Sequence, residues 1–179
     1  IVMAAAEIWF LRAEAALRGF TSEDVESCYK QGVTTSFAQW DASGVSEYLE
    51  SENSPADYVD TFDKNFDAKA TTSITPKWDN AADNETKLER IITQKWLALY
   101  PEGCEAWAEQ RRTGYPKLFK VVVNNSSNTI STDEMIRRVF FNQDYITNNK
   151  PLYDALVSKL GGQDTGGTRL WWDTGKNNF

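Results

Sequence analysis

Residues 3–41 constrain this chain more than any other stretch, because they hold two apolar stripes at helical spacing with almost nothing between them. Ala4, Ile8, Leu11, Ala15 and Leu17 recur at the steps of an α-helix in an alanine-rich segment of high helix propensity, and Gly19 follows as a C-terminal stop. The apolar pattern is already under way at residue 2. Thr21 or Ser22, with acidic residues just after them, predicts an immediate restart. The second run, about 22–41, sets Val25, Cys28, Tyr29, Gly32, Val33, Ser36, Phe37 and Trp40 along one stripe. Two helices with so short a connection must pack antiparallel, and the alanines allow close approach.

The character changes over 50–84, where Ser, Asn, Asp, Thr and Pro dominate and Pro55 and Pro76 act as breakers. A short helix near 55–65 is predicted inside this long loop, and connections of such length are usually functional or mobile. A cap at Asp83 or Asn84 then opens a stripe of Leu88, Ile91, Ile92, Trp96 and Leu99, which Pro101 ends. Pro101 also opens the next helix. Glu102 and Glu105 sit in its first turn and Arg111 and Arg112 in its last, both complementing the peptide dipole, and Gly114 stops it. Trp96 and Trp107 on these successive helices read as mutual packing anchors. After Pro116, the apolar residues Leu118, Phe119 and Val121 to Val123, then Ile130, Ile136, Val139 and Phe140, predict short strands around an Asn/Ser-rich turn at 124–128. Helical spacing returns over 142–160 and ends at Gly161 and Gly162.

Several function classes are limited by composition. The chain of 179 residues suffices for one domain with a real core. It contains no histidine, which removes the usual general base of Ser and Cys nucleophiles and the commonest nitrogen ligand of zinc. Triad chemistry is thereby excluded, whereas carboxylate-pair chemistry is not. A formal charge of -7 opposes nucleic-acid binding. No apolar run is long enough to span a bilayer, so any membrane attachment must come from outside these residues. Cys28 and Cys104 are too few for a disulfide scaffold and too far apart for a CxxC site, so buried free thiols are the expectation, with a bridge between them the alternative in an exported protein.

Four motifs carry a resemblance. Glu7 to Gly19 (EIWFLRAEAALRG), Thr93 to Tyr100 (TQKWLALY), Pro101 to Pro116 (PEGCEAWAEQRRTGYP) and Leu170 to Gly175 (LWWDTG) stand in the order in which similar segments occur in the C-terminal part of the SusD-like (SusD/RagB, starch-binding) outer-membrane lipoproteins. Arg137–Arg138 matches a double arginine of that family, although the proline that follows it there is missing here. The family is well over twice this length, so the resemblance implies that residues 1–179 form a single C-terminal segment of a larger domain. The fold implied is mainly α: a tetratricopeptide-like helical hairpin over 3–41, a long loop over 50–84, helices over 84–113, and short strands and helices over 116–179. No second hairpin follows at a fixed period, which argues against a solenoid. The resemblance further implies a surface-exposed lipoprotein of the bacterial outer membrane that binds oligosaccharide and delivers it to a TonB-dependent transporter. No catalytic residue, bound cofactor or metal is implied. The membrane would be reached only through an N-terminal lipid anchor outside this segment.

The resemblance transfers no invariant sugar-binding residue, so candidates come from chemistry. A pyranose stacks its C–H face on an exposed aromatic ring while polar neighbours hydrogen-bond its hydroxyls. Rings outside the helical stripes are the candidates: Trp78, Tyr58 and Trp171. Asp63, Asn65 and Asp67 alternate like the first ligands of a calcium loop, but Ala68 replaces the turn glycine and Ile74 the closing glutamate. GGQDTGG at 161–167 lacks the ending of a phosphate loop and reads as a flexible connection. Arg111 and Arg112 read as a structural network with Glu105 and Glu109. Two other classes stay open: a helical-hairpin scaffold that binds protein, and a carboxylate-dependent glycoside hydrolase, for which no acidic pair stands out.

Overall fold

The predicted helical pair forms. In the computed structural model, which describes residues 3–179, α1 (Ala5–Leu17) and α2 (Val25–Gln39) run antiparallel: Arg12 pairs with Glu23, while two residues earlier on α1 Phe10 meets Tyr29, six residues further along the chain than Glu23, with ring centroids 6.3 Å apart. Val2, where the apolar pattern begins, lies outside the described residues. Gly19 takes the left-handed conformation (φ 75°) just past α1, and its N–H donates to Ala16 O. Asp24, rather than Thr21 or Ser22, caps α2, its carboxylate accepting from Ser27 N at 2.7 Å.

The buried face of α1 differs from the expected one. Ala6, Phe10 and Ala13 are buried with Glu7 and Glu14, whereas Ile8 is exposed. Hydrophobicity alone misplaced the stripe, because this interface is built from small residues and paired acids. At its tightest point a Cβ on Gly32 would lie 2.8 Å from the Phe10 ring.

Beyond α2, α3 (Val45–Leu49) packs Val45, Tyr48 and Leu49 against the same core. Next comes α4 (Asn84–Ala98), capped by Asp83 through Thr86 N; it buries Leu88, Ile91 and Ile92 against α1 and α2 as the sequence predicts. Two proline bonds, Tyr100–Pro101 and Tyr115–Pro116, are cis and flank α5 (Gly103–Thr113). Gly114 ends α5 in the left-handed conformation (φ 77°). Both cysteines are free; Cys28 is buried as expected, but Cys104 is exposed on the first turn of α5.

Charge is built into this helical core. Lys95 is buried with its Nζ 3.3 Å from Glu109 and 3.6 Å from Glu7. Arg112 forks onto Glu14 (2.8 and 2.6 Å) and onto Glu109 (both bonds 2.9 Å), and Arg18 also donates to Glu14. Burial pushes the Glu14 carboxyl up, but Arg112 and Arg18 more than reverse this and hold it below the ordinary carboxylate range. Arg112 is thus a structural member, as the sequence indicates. Arg111 lies over the Trp107 ring at 3.8 Å.

The described chain contains two compact units, the first made of residues 3–56, 70–118 and 177–179, the second of 57–69 and 119–176. Helices dominate the first, the second is largely irregular chain with two short helices and one 3-10 turn, and the fold as a whole is mainly α. The expected strands after Pro116 are not found among the described residues, whose sole β pairing is an isolated bridge between Tyr58 and Ala68. Val121, Val122 and Val123 are consecutive and all exposed, so they never acquire the alternation or the pairing partner that a strand needs. The turn at 124–128 is present, with Ser127 and Asn128 both at positive φ. In place of the single helical run expected over 142–160 there are two helices, α6 (Gln143–Asn148) and α7 (Lys150–Leu160). Asn149 (φ -147°) breaks the run and caps α7 through Leu152 N, because Pro151 belongs at a helix start.

The glycine-rich stretch at 161–167 is not a loose connection. A Cβ on Gly166 would lie 2.9 Å from Ile130, and one on Gly167 would lie 2.3 Å from the Thr129 carbonyl oxygen. These glycines permit close backbone contact. Arg137 and Arg138 lock the same region, each buried, Arg137 on Asp173 at 2.7 Å and Arg138 on Asp164.

Candidate functional site

Local hydrogen bonding shapes the segment around Tyr58. Asp60 Oδ1 accepts from Phe62 N and Asp63 N at 2.8 Å each, Asp63 Oδ1 accepts from Asn65 N, and Asp67 Oδ1 accepts from Asp60 N. The alternating acids that evoke a calcium loop therefore spend their oxygens on backbone N–H groups. Among the described residues no acidic cluster is arranged to hold a metal. Instead of the short helix expected near 55–65, one 3-10 turn forms at Lys64–Phe66. The turn brings the chain back on itself, and Tyr58 and Ala68 exchange both backbone bonds (2.9 and 3.0 Å).

Pairing Tyr58 with so small a residue leaves the ring uncovered, and 48% of the residue is exposed. Its phenol donates to Asp60 Oδ2 at 2.9 Å. Phe119 lies alongside with ring centroids 6.3 Å apart and planes tilted by 55°. The two rings open onto a groove of about 420 Å³, walled by Phe66 and by the backbone and side chains of Val121 to Val123, with Asp60 and Lys120 on its rim. The volume lies within the roughly 300–1,000 Å³ typical of small-ligand sites. All of these residues belong to the second unit.

Asp60 has its carboxyl held below the usual range by the Asp63 and Phe62 amides and then by Tyr58. The same hydrogen bond to Asp60 is the main cause of a raised Tyr58 phenol. An ionised carboxylate and a neutral phenol accept and donate hydrogen bonds at neutral pH; neither is poised to transfer a proton.

The three candidate rings have different fates. Trp171 is 92% exposed at a turn closed by Asp173 N donating to Leu170 O at 2.9 Å, and Asp173 in turn binds Arg137 and Arg169. A broad indole face is thus presented from a fixed support. Tyr58 is exposed on the groove. Trp78 is the correction: it is only 8% exposed and sits in the helical core of the first unit. Its ring packs 5.1 Å from Tyr29, its Nε1 donates to Asn80 at 2.9 Å, and the Arg90 guanidinium lies 6.0 Å from its centroid. Trp78 pins the long loop onto the helices. It presents no free face to a ligand.

Sequence reasoning missed Phe119, Phe66 and Val121 to Val123. No local signal marked them: an unbroken triplet of valines reads as a buried strand, and their exposure follows from the lack of a pairing partner among the described residues.

The family is decided by a match that runs almost end to end: residues 1–173 fit the model of the SusD-like family, described as Susd and RagB outer membrane lipoprotein. The chain belongs to the SusD-like family. No curated protein matches it. Among solved structures, a chitin-binding SusD homolog from Flavobacterium johnsoniae is 46% identical with a TM-score of 0.91, over 99% of this chain and 37% of the other. A SusD homolog from Bacteroides vulgatus is 57% identical with a TM-score of 0.89, over 98% of this chain and 36% of the other. A third, from Bacteroides thetaiotaomicron, is 42% identical with a TM-score of 0.87, over 98% and 38%. The SusD-like chain described here therefore spans a little over a third of the length of the solved relatives it matches.

Proposed function

We propose that this SusD-like chain is part of a non-enzymatic glycan-binding protein at the bacterial cell surface, and that the groove beside Tyr58 and Phe119 contacts the glycan. The observation that carries this reading is the tilted, exposed ring pair over a groove whose rim holds hydrogen-bonding groups. Family membership supports it, as does the relative described as chitin-binding. Trp171 offers a second stacking face in the same unit. In this reading the protein is a surface-exposed outer-membrane lipoprotein that delivers oligosaccharide to a TonB-dependent transporter, with no catalytic step and no cofactor.

Glycoside hydrolysis needs one carboxyl kept protonated to serve as acid, whereas the carboxyl on the groove rim is held ionised. That favours capture over cleavage. A protein-binding scaffold remains the second reading, favoured by an apolar groove of about 480 Å³ at the elbow between α4 and α5, where Leu97 and Tyr100 are exposed. The two readings part on one experiment. Tyr58→Ala should weaken binding of oligosaccharide to the protein about tenfold, near 1.4 kcal/mol, by removing a stacking face. Calorimetric titration against a glycan panel measures this, and unchanged affinity for a glycan that does bind would remove the groove from the site.

A further inference from the structure

We infer that the Tyr58 groove selects electrically neutral oligosaccharides over anionic ones such as uronic-acid or sulfated chains; this rests on the glycan-binding reading above. Lys120, the cation that lines the groove, and Lys69 beside it are both engaged. Lys120 Nζ on the rim lies 2.6 Å from Asp133 Oδ1, and Lys69, which follows Ala68, lies 2.6 Å from Asp57 Oδ2. The charge left facing the groove is negative, because Asp60 satisfies two backbone amides and the Tyr58 hydroxyl with no cation beside it among its recorded partners. A carboxylate or sulfate entering here meets the like charge of Asp60 and, on Lys120, an ammonium already held by Asp133, and like-charge juxtaposition disfavours the wrong partner.

A neutral sugar meets a different surface. The Tyr58 oxygen donates its own proton to Asp60 and keeps lone pairs that accept from a sugar hydroxyl, while the Tyr58 and Phe119 rings face ring C–H groups. Val121 to Val123 and Ala68 supply apolar contact without charge. Lys120 is the gate in this arrangement: its partner Asp133 is itself well exposed, so the ammonium can be released by a surface substitution that leaves the core untouched.

The test titrates the protein with two sets of oligosaccharides, one neutral (malto-, xylo- and chito-oligosaccharides) and one anionic (oligogalacturonates and sulfated oligosaccharides), at low ionic strength. Tyr58→Ala and Asp133→Asn are run in parallel. Binding of a neutral member that falls about tenfold in Tyr58→Ala, with the anionic set bound measurably but at least about tenfold more weakly than that member, is the expected result. Asp133→Asn should then raise affinity for oligogalacturonate by up to about fivefold, the range of an exposed ion pair. Tyr58-dependent binding of an anionic chain by the unaltered protein that is less than about tenfold weaker than that of the neutral member overturns the selectivity while leaving the glycan reading intact. No gain in Asp133→Asn overturns the role given to Lys120. Failure of every glycan in both sets to bind, or binding insensitive to Tyr58→Ala, overturns the groove as a glycan site and the selectivity with it.

Discussion

Replacing Trp78 with alanine separates a core role from a ligand-facing one. The ring is 8% exposed, contacts Tyr29 at 5.1 Å between centroids and has its one polar atom bonded to Asn80. Truncation removes the largest side chain of the loop from a closed space between α2 and α4, leaving a cavity beside Tyr29 and the Arg90 guanidinium. Large-to-small changes of this kind cost about 3–5 kcal/mol. Asn80 keeps its bond to Glu26 and is solvent-exposed, so no orphaned polar group adds to the loss. For a chain of this size each kcal/mol moves the midpoint by roughly 2–4 °C, so the first unit should melt about 10 °C lower. Urea unfolding monitored by far-ultraviolet circular dichroism gives the free energy, with Trp78→Phe as the variant that retains most of the filling. Glycan affinity measured on the still-folded fraction should be unchanged. A stability loss below about 1 kcal/mol together with weakened glycan binding would refute the reasoning and return Trp78 to the ligand surface.

Two further changes probe the supports. Gly167→Ala places a Cβ 2.3 Å from the Thr129 backbone carbonyl, which cannot rotate away, so the second unit should lose on the order of 1–3 kcal/mol in thermal unfolding. Acid stability reports on Glu14: its folded carboxyl is held below the ordinary value of 4.5, so its contribution is present above that value and lost as pH falls through the folded one. Unfolding free energy measured from pH 7 down to pH 3 should therefore decline less steeply in Glu14→Gln than in the unaltered protein, from a lower starting point.

The helical frame was legible because its periodicity and stop signals are local. Asp83, Gly19, Gly114 and Gly161 mark helix ends without reference to anything distant. The face of α1 was not legible, since burial of Glu7 and Glu14 depends on Lys95, Arg112 and Arg18, three cations set at different places along the chain. The fate of each loop aromatic was equally hidden. Trp78 and Tyr58 lie in the same long polar loop, yet one meets Tyr29 on α2 and the other meets Ala68, Phe119 and its own neighbour Asp60, so exposure was decided by contacts that no local pattern encodes. At 119–123, a high β propensity was overridden because no partner strand is available.

A crystal structure of the protein with the tightest-binding neutral oligosaccharide tests the central claim most directly. The account predicts intact sugar with a ring face against Tyr58 or Phe119 and a hydroxyl within hydrogen-bond distance of Asp60. Sugar bound to other surfaces with this groove unoccupied, or shortened by cleavage, would contradict it.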